Sequence, residues 1–233
     1  MTQPRAVGVR APWPAMPQPI RLWVAEVLGS RISEVREQTG GMSPGCATRL
    51  LCDDGTRVFV KVVGTPLNPL TPDLFRREIA ALDLIGSSPM WADLVTSWDD
   101  GDWVAIVLED VEGQHPDLAD DATMDLLLAQ TERLGAVLAE RVPEPPDPTA
   151  AGLGDLTGAF ATWADAFDRL DVIAEELLPA WVRHDAALWQ PRVRALAEVG
   201  VRRLVHWDIR DDNLLQRPTG ELVFVDWGAC GVG

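Results

Sequence analysis

The stretches 206-HWDIRDDN-213 and 225-VDWG-228 decide the fold of this chain. The first has the form H-x-D-x-x-x-x-N, and Asp226 follows Asn213 by thirteen residues. Between them, NLLQ and ELVFVD are typical of two short strands joined by the turn RPTG. We therefore expect a hairpin that ties the two charged loops together in one polar site.

A single lysine stands out further upstream. Of the twenty basic residues nineteen are arginine, and Lys61 is the one lysine. Lysine carries a compact point charge and arginine a planar fork, so a site shaped for an ammonium does not accept the exchange. Lys61 therefore indicates a local requirement, and a chance survivor of a bias towards arginine is the alternative.

The segment around Lys61 has the pattern of a small β-sheet. Residues 31–63 are predicted to form a strand, a glycine loop, a strand, a turn and a strand. The turn Asp53-Asp54-Gly55 is a strong hairpin signal and puts Lys61 near the end of the third strand. Two more strands are predicted at 94–98 and 103–109. Five strands and one helix then form a small lobe.

That helix is predicted to begin at Pro72 and to end before Gly86. Its apolar residues share one side at helical spacing, and Glu78 lies in the middle of that side. A carboxylate that faces a core is costly unless a cation meets it, and Lys61 is the natural partner. The alternative is a glutamate at the edge of the helix that reaches water.

Composition excludes several classes of protein. The net charge of -16 disfavours a nucleic-acid partner, which would need a basic surface. No apolar run is long enough to cross a bilayer. Cys46, Cys52 and Cys230 lack C-x-x-C spacing, which argues against both disulfides and zinc and favours buried thiols. A cytoplasmic enzyme is the simplest interpretation.

Five segments together resemble the aminoglycoside phosphotransferase family: GGMSPGCATRL, VFVKVV, LFRREIAALDLI, HWDIRDDNLL and VFVDWG. Members of that family share the protein-kinase fold and phosphorylate small molecules. Trp227, where protein kinases carry phenylalanine, favours the small-molecule branch. The resemblance implies a two-lobed α+β fold with a five-stranded antiparallel small lobe and a mainly helical large lobe. We expect a flexible tail at 1–19, the small lobe at 20–110 and the large lobe at 111–233.

The resemblance also implies the chemistry, which is transfer of the γ-phosphate of ATP or GTP to a hydroxyl with Mg²⁺. Asn213 and Asp226 would hold the metal, because carboxylate and amide oxygens suit magnesium. Asp208 would orient the hydroxyl or accept its proton. Lys61, held by Glu78, would contact the α- and β-phosphates.

The role of Arg210 is open between two interpretations. It lies two residues after Asp208, where protein kinases carry a lysine that meets the transferring phosphate. It could therefore neutralise charge there, or instead pair with Asp211 or Asp212.

The loop 39–45, TGGMSPG, occupies the place of the glycine-rich flap. Small residues let backbone N–H groups approach phosphate, so Gly41, Ser43 and Gly45 are candidate contacts. The loop departs from G-x-G-x-x-G, and a plain hairpin loop is the alternative. Adenine is expected to hydrogen-bond the connector backbone between Glu109 and Val111.

The acceptor is a small hydroxyl compound, aminoglycoside-like or an amino alcohol, and the fold alone does not choose among such molecules. A cationic acceptor would suit the acidic residues of the large lobe, although a solvated helix face explains them equally well. These residues are Asp165, Asp168, Glu175 and Glu176. Neither membrane nor nucleic acid is expected as a partner, and the oligomeric state is open.

The chain stops seven residues after Asp226, whereas relatives continue with further helices that complete the large lobe. Two hypotheses follow. The intact residues Lys61, Asp208, Asn213 and Asp226 favour an enzyme. The missing C-terminal helices favour a truncated, inactive nucleotide-binding module that acts through a partner.

Overall fold

The computed structural model describes residues 10–38, 40–41 and 43–233. Its largest sheet has the order β1-β2-β3-β5-β4, and every neighbouring pair is antiparallel. The strands are β1 (Ile32–Glu37), β2 (Cys46–Cys52), β3 (Arg57–Gly64), β4 (Leu94–Asp99) and β5 (Trp103–Glu109). The predicted α+β class with a five-stranded antiparallel small lobe is confirmed.

Helices pack against both faces of this sheet, the first of the chain on one and the second on the other, and four more helices follow in the second half of the chain. They are α1 (Gln18–Leu28), α2 (Thr71–Ile85), α3 (Asp121–Arg141), α4 (Ala159–Ala166), α5 (Ala180–His184) and α6 (Ala186–Leu196). The remaining strands are β6 (Gly154–Asp155), β7 (Leu204–Val205), β8 (Leu214–Gln216), β9 (Leu222–Phe224) and β10 (Gly231–Val232). None of the helices in the described residues is both long and apolar enough to cross a membrane.

Strand β3 shows how the sheet separates two cores. Val58, Val60 and Val62 are buried in a cluster with residues of α1. The alternate positions Phe59 and Val63 contact the other cluster, which contains α2. Successive side chains of a strand point to opposite faces, so Lys61 also faces α2.

Helix α2 has the amphipathic pattern that the sequence predicts. Phe75, Leu82 and Ile85 are buried, and Glu78 is fully buried among them. The helix ends at Gly86, whose φ of 63° is in the left-handed region that glycine tolerates best. Glu78 therefore lies inside the core side of α2 and not at its edge.

The N-terminal segment differs from the flexible tail expected for 1–19. From Arg10 onwards the chain contacts the sheet, and a 3₁₀ turn at Trp13–Ala15 precedes α1. Trp13 and Met16 are buried in the same cluster as Ile20. Large apolar side chains gain more from burial than a loose segment gains in entropy, which explains the difference. Residues 1–9 lie outside the described part.

The large lobe is more fragmented than the sequence indicates. The β8–β9 hairpin follows the prediction closely. The large lobe also contains α3, and its helix α4 is followed by a 3₁₀ segment, Phe167–Val172. The sheet β6-β10-β7 has only two residues in each strand, which is too short to give a periodic pattern in the sequence.

Replacement of Trp13 tests whether the N-terminal segment is part of the core. We expect Trp13→Ala to lower the free energy of unfolding by about 3–5 kcal/mol, because it removes a buried indole and leaves a cavity. Gln18→Ala, at an exposed position of α1, is the matched control and should change it by less than about 0.5 kcal/mol. Urea denaturation measures both. Equal effects would contradict the packing described here.

Candidate functional site

A cavity of about 440 Å³ opens between the five-stranded sheet and the loops that flank the β8–β9 hairpin. The residues predicted from the sequence that line it are Gly41, Lys61, Glu78, Glu109, Val111, Asn213 and Asp226. These residues come from the sheet, from α2, from the connector after β5 and from both ends of the hairpin. The fold thus collects positions separated by up to 185 residues.

A cluster of three charges forms the centre of this cavity. Lys61 Nζ lies 2.5 Å from Glu78 Oε2 and 2.9 Å from Asp226 Oδ1. The Lys61 and Glu78 side chains are 9% and 1% exposed, whereas that of Asp226 is 49% exposed. The ammonium therefore joins a buried carboxylate of α2 to an accessible carboxylate at the cavity surface.

The charges shift one another's ionisation. Burial disfavours the charged form of Lys61, but Asp226 and Glu78 outweigh this and raise the pKa of its ammonium. The positive charge of Lys61 lowers the pKa of Asp226. Burial raises the pKa of Glu78, and the ion pair with Lys61 opposes that effect. Asp226 is thus ionised at neutral pH and available to a cation.

The loop that contains Asp208 and Asn213 is joined to the same cluster. Asn213 Nδ2 donates to the backbone oxygen and to Oδ2 of Asp208, both at 2.9 Å. Val225 N–H donates to Asn213 O at 3.0 Å, which brings the residue before Asp226 against Asn213. The Asn213 side-chain oxygen accepts no hydrogen bond from any residue that the structure describes, so this oxygen is available as a ligand atom.

His206 holds this loop through hydrogen bonds of its buried ring. Its side chain is buried, and burial lowers the pKa of the imidazole, which favours the neutral form. Nε2 lies 3.1 Å from Val225 O, and Asp208 N–H donates to Nδ1 at 3.4 Å. A neutral ring with its proton on Nε2 satisfies both contacts. The histidine thus links the loop that contains Asp208 to the segment between β9 and Asp226.

Two residues of the site have backbone conformations that are uncommon outside glycine. Asp226 has φ 65° and Trp207 has φ 70°. Aspartate tolerates this region, but for a bulky residue such as tryptophan it is an outlier that the surroundings must hold. Trp207 stacks on Trp163 with ring centroids 4.9 Å apart and meets the edge of Phe160 at 5.4 Å. These contacts stabilise the turn that precedes Asp208.

Several predicted residues lie outside the cavity lining. Asp208 is connected to the cavity through its hydrogen bonds with Asn213, and its side chain is 38% exposed. Arg210 Nε lies 2.8 Å from Asp212 Oδ1 and 3.6 Å from Asp208 Oδ1, so the pairing alternative describes this structure. Its role towards a transferring phosphate stays a prediction.

The glycine loop is brought to the cavity in part. Gly40 and Gly41 line it, whereas Ser43 and Gly45 do not. Ser43 Oγ accepts a hydrogen bond from Gly45 N–H at 3.3 Å. A Cβ at Gly45 would collide with the carbonyl oxygen of Val62, so close approach to β3 explains that glycine. Thr39 and Met42 of this loop lie outside the described residues.

The connector after β5 can supply a backbone donor to the cavity. Glu109 N–H donates to Asp93 O at 2.9 Å, and Val111 O accepts from Arg49 at 3.2 Å. Within the described residues, Val111 N–H has no hydrogen-bond partner. This amide is the connector group that adenine could use.

Arg10 and His115 are among the cavity-lining residues that sequence reasoning missed. Arg10 comes from the segment taken for a tail, and no local pattern distinguishes it. His115 has Nδ1 2.9 Å from Leu214 O and 3.2 Å from Asp211 O. The two partners lie 99 and 96 residues away in the sequence, so no local pattern around His115 predicts these contacts.

The model of the phosphotransferase enzyme family (APH) matches residues 49–233, which include the whole charged cluster. The chain belongs to this family. Comparison with curated proteins finds no significant sequence match.

Solved structures of small-molecule kinases share the fold of this family member. Choline kinase LicA from Streptococcus pneumoniae has a TM-score of 0.56 at 15% identity, over 92% of this chain and 69% of its own. Macrolide 2'-phosphotransferase MphH from Brachybacterium faecium has a TM-score of 0.57 at 18% identity, over 92% and 73%. Amicoumacin kinase hAmiN, solved with AMP-PNP and Ca²⁺, has a TM-score of 0.50 at 14% identity, over 94% and 66%.

The coupling between Lys61 and Glu78 can be measured by stability alone. We expect Lys61→Met and Glu78→Leu each to destabilise the fold, because each leaves a buried charge without its partner. The double variant should be less destabilised than the sum, by about 1–3 kcal/mol. Denaturant unfolding of the four proteins gives this value.

A control pair shows whether the effect is local. Glu132 is exposed on α3, and Lys61→Met combined with Glu132→Leu should be additive within about 0.5 kcal/mol. Additivity at Lys61 and Glu78 as well would mean that the observed contact contributes no coupling energy.

Proposed function

We propose that this family member is an ATP-dependent phosphotransferase that moves the γ-phosphate onto a hydroxyl of a small molecule. One observation carries the proposal: Lys61, Glu78 and Asp226 meet in a cavity that Asn213 also lines. Phosphoryl transfer depends on placement and charge neutralisation, and this cluster supplies charge at a fixed position.

The nucleotide would lie in the cavity with its adenine at the connector and its phosphates near Lys61. Val111 N–H supplies a donor for adenine, and the connector is joined to β2 through Arg49. Glu78 is buried and contacts the ammonium directly, so it acts as a positioning residue that aims Lys61 at the phosphates. Ordinary hydrogen bonding and charge pairing thus account for both ends of the ligand.

Magnesium fits the residues that face the cavity. The Asn213 side-chain oxygen and the accessible, ionised Asp226 carboxylate are hard oxygen ligands of the kind that Mg²⁺ takes. Among the described residues, no three histidine, cysteine or acidic side chains form a metal cluster. Mg²⁺ commonly keeps few protein ligands and completes its shell with phosphates and water. When bound, it would neutralise charge on the phosphates.

Asp208 is the group that we assign to the acceptor hydroxyl. Its carboxylate is partly exposed and accepts a hydrogen bond from Asn213, while the Asp208 backbone N–H donates to the His206 ring. An aspartate in this position can orient the hydroxyl and accept its proton as the oxygen attacks. Arg210, 3.6 Å from Asp208, would limit the negative charge that accumulates there.

The acceptor is proposed as aminoglycoside-like or an amino alcohol. Two acidic residues that could attract a cation are already engaged, since Asp165 contacts Arg194 at 2.7 Å and Asp168 accepts from Gln190 at 2.7 Å. The charge of the acceptor is therefore best left to a transfer screen over cationic and neutral hydroxyl compounds.

Asp208→Asn separates catalysis from nucleotide binding. We expect turnover to fall by about a hundred- to ten-thousand-fold, because the amide cannot accept the proton, while nucleotide affinity changes little. Steady-state transfer assays and calorimetry measure the two quantities. Asp211→Asn removes the same charge from the same loop and should leave turnover nearly unchanged. Native turnover in Asp208→Asn would contradict the mechanism.

Metal removal tests the assignment of Asn213 and Asp226. We expect ATP to bind much more weakly in EDTA than in Mg²⁺, because Asp226 otherwise presents a negative charge to an anionic ligand. Calorimetry under both conditions measures this. In Asp226→Asn the difference between the two conditions should shrink. Equal affinities in the native protein would remove the metal assignment.

A further inference from the structure

We propose that Arg10 binds the phosphate chain of the nucleotide, so that the segment before α1 supplies a cationic group to the cavity. The inference rests on the proposed function, because it requires a nucleotide in this cavity. Arg10 precedes the region 49–233 that the family model matches.

The first argument is the position of the side chain. Arg10 lines the same cavity as Lys61 and Asp226. Its Nε donates to Gly40 O at 2.5 Å, and its guanidinium lies against Gly41 so closely that a Cβ there would collide with Nη2. The arginine thus lies along the glycine loop, on the side that faces the cavity.

The second argument is that the backbone directly after Arg10 is held in place. Ala11 N–H donates to Pro44 O at 3.2 Å, directly after Arg10. Trp13 N–H donates to Glu37 Oε1 at 2.7 Å, and the Trp13 ring is buried. The segment is therefore anchored at the glycine loop, at the end of β1 and in the core, which pre-organises the arginine.

The third argument is electrostatic. Arg10 Nη1 is buried and has no hydrogen-bond partner among the described residues. Burial lowers the pKa of the guanidinium, while the charge of Asp226 opposes this effect. A desolvated cationic donor without a partner is costly, and an anion in the cavity would satisfy it.

The chemistry of the two cations favours phosphate as that anion. The Lys61 ammonium already contacts two carboxylates, so a second cation would add to the charge that it offers to the phosphates. Arginine presents a planar fork that matches two phosphate oxygens at once. Arg10 therefore combines a donor that has no partner among the described residues with the planar geometry that suits a phosphate.

The test compares ATP with adenosine, which lacks the phosphates. Calorimetry in Mg²⁺ is run on the full chain with Arg10→Gln, Arg10→Lys and the control Arg133→Gln. Arg133 is exposed on α3 and does not line the cavity. We expect Arg10→Gln to weaken ATP binding about ten- to a hundredfold and to leave adenosine binding unchanged. Arg10→Lys, which keeps the charge but loses the fork, should fall between, and the control should match the native chain.

Each other outcome overturns the inference in a recognisable way. Unchanged ATP affinity in Arg10→Gln would make the arginine structural, and tighter ATP binding would make it an obstacle that the nucleotide displaces. Equal losses for ATP and adenosine would indicate a damaged cavity. If thermal unfolding shows that Arg10→Gln is not folded, Arg10→Lys provides the test. A loss of ATP affinity without a loss of adenosine affinity in that variant supports the inference, and no loss of ATP affinity overturns it. A native chain that binds neither ligand refutes the proposed function itself.

Discussion

The buried ion pair between Lys61 and Glu78 is the interaction on which the site depends. Removing both charges from water is costly, and the cost is recovered only when the two groups meet with good geometry. The register of β3 must therefore point Lys61 towards α2, and the rotation of α2 must point Glu78 back. Asp226 then completes the cluster from a loop more than 160 residues away. One electrostatic requirement thus fixes the relation of sheet, helix and hairpin.

The parts of the fold that could be predicted are those with local signals. The Asp53-Asp54-Gly55 turn fixes the β2–β3 hairpin, and strand alternation then determines which face Lys61 occupies. The helical period of α2 identifies Glu78 as an anomaly, because a lone carboxylate on an apolar face demands a cation. The turn places Lys61, and the carboxylate on α2 has a burial cost that a cation must offset. The sequence therefore predicts that the two residues form a pair.

The parts that could not be predicted depend on contacts between distant segments. The residues 10–19 contain several prolines and no regular period, yet Trp13 and Met16 complete the core beneath the sheet. Arg10 reaches a glycine thirty residues away. Ser43 is an instructive contrast, because residue type suggested a phosphate contact while the observed hydrogen bond is internal to its loop. Residue type indicates which contacts a side chain can make, and the fold determines which of them it makes.

The single lysine has a consequence for covalent chemistry. Apart from the α-amino group, Lys61 Nζ is the one primary amine in the chain, so an amine-selective acylating reagent has a single side-chain target. That amine is protonated and enclosed by two carboxylates, which leaves it a poor nucleophile in the native state. Reactivity at this one position therefore reports directly on whether the charge cluster is intact.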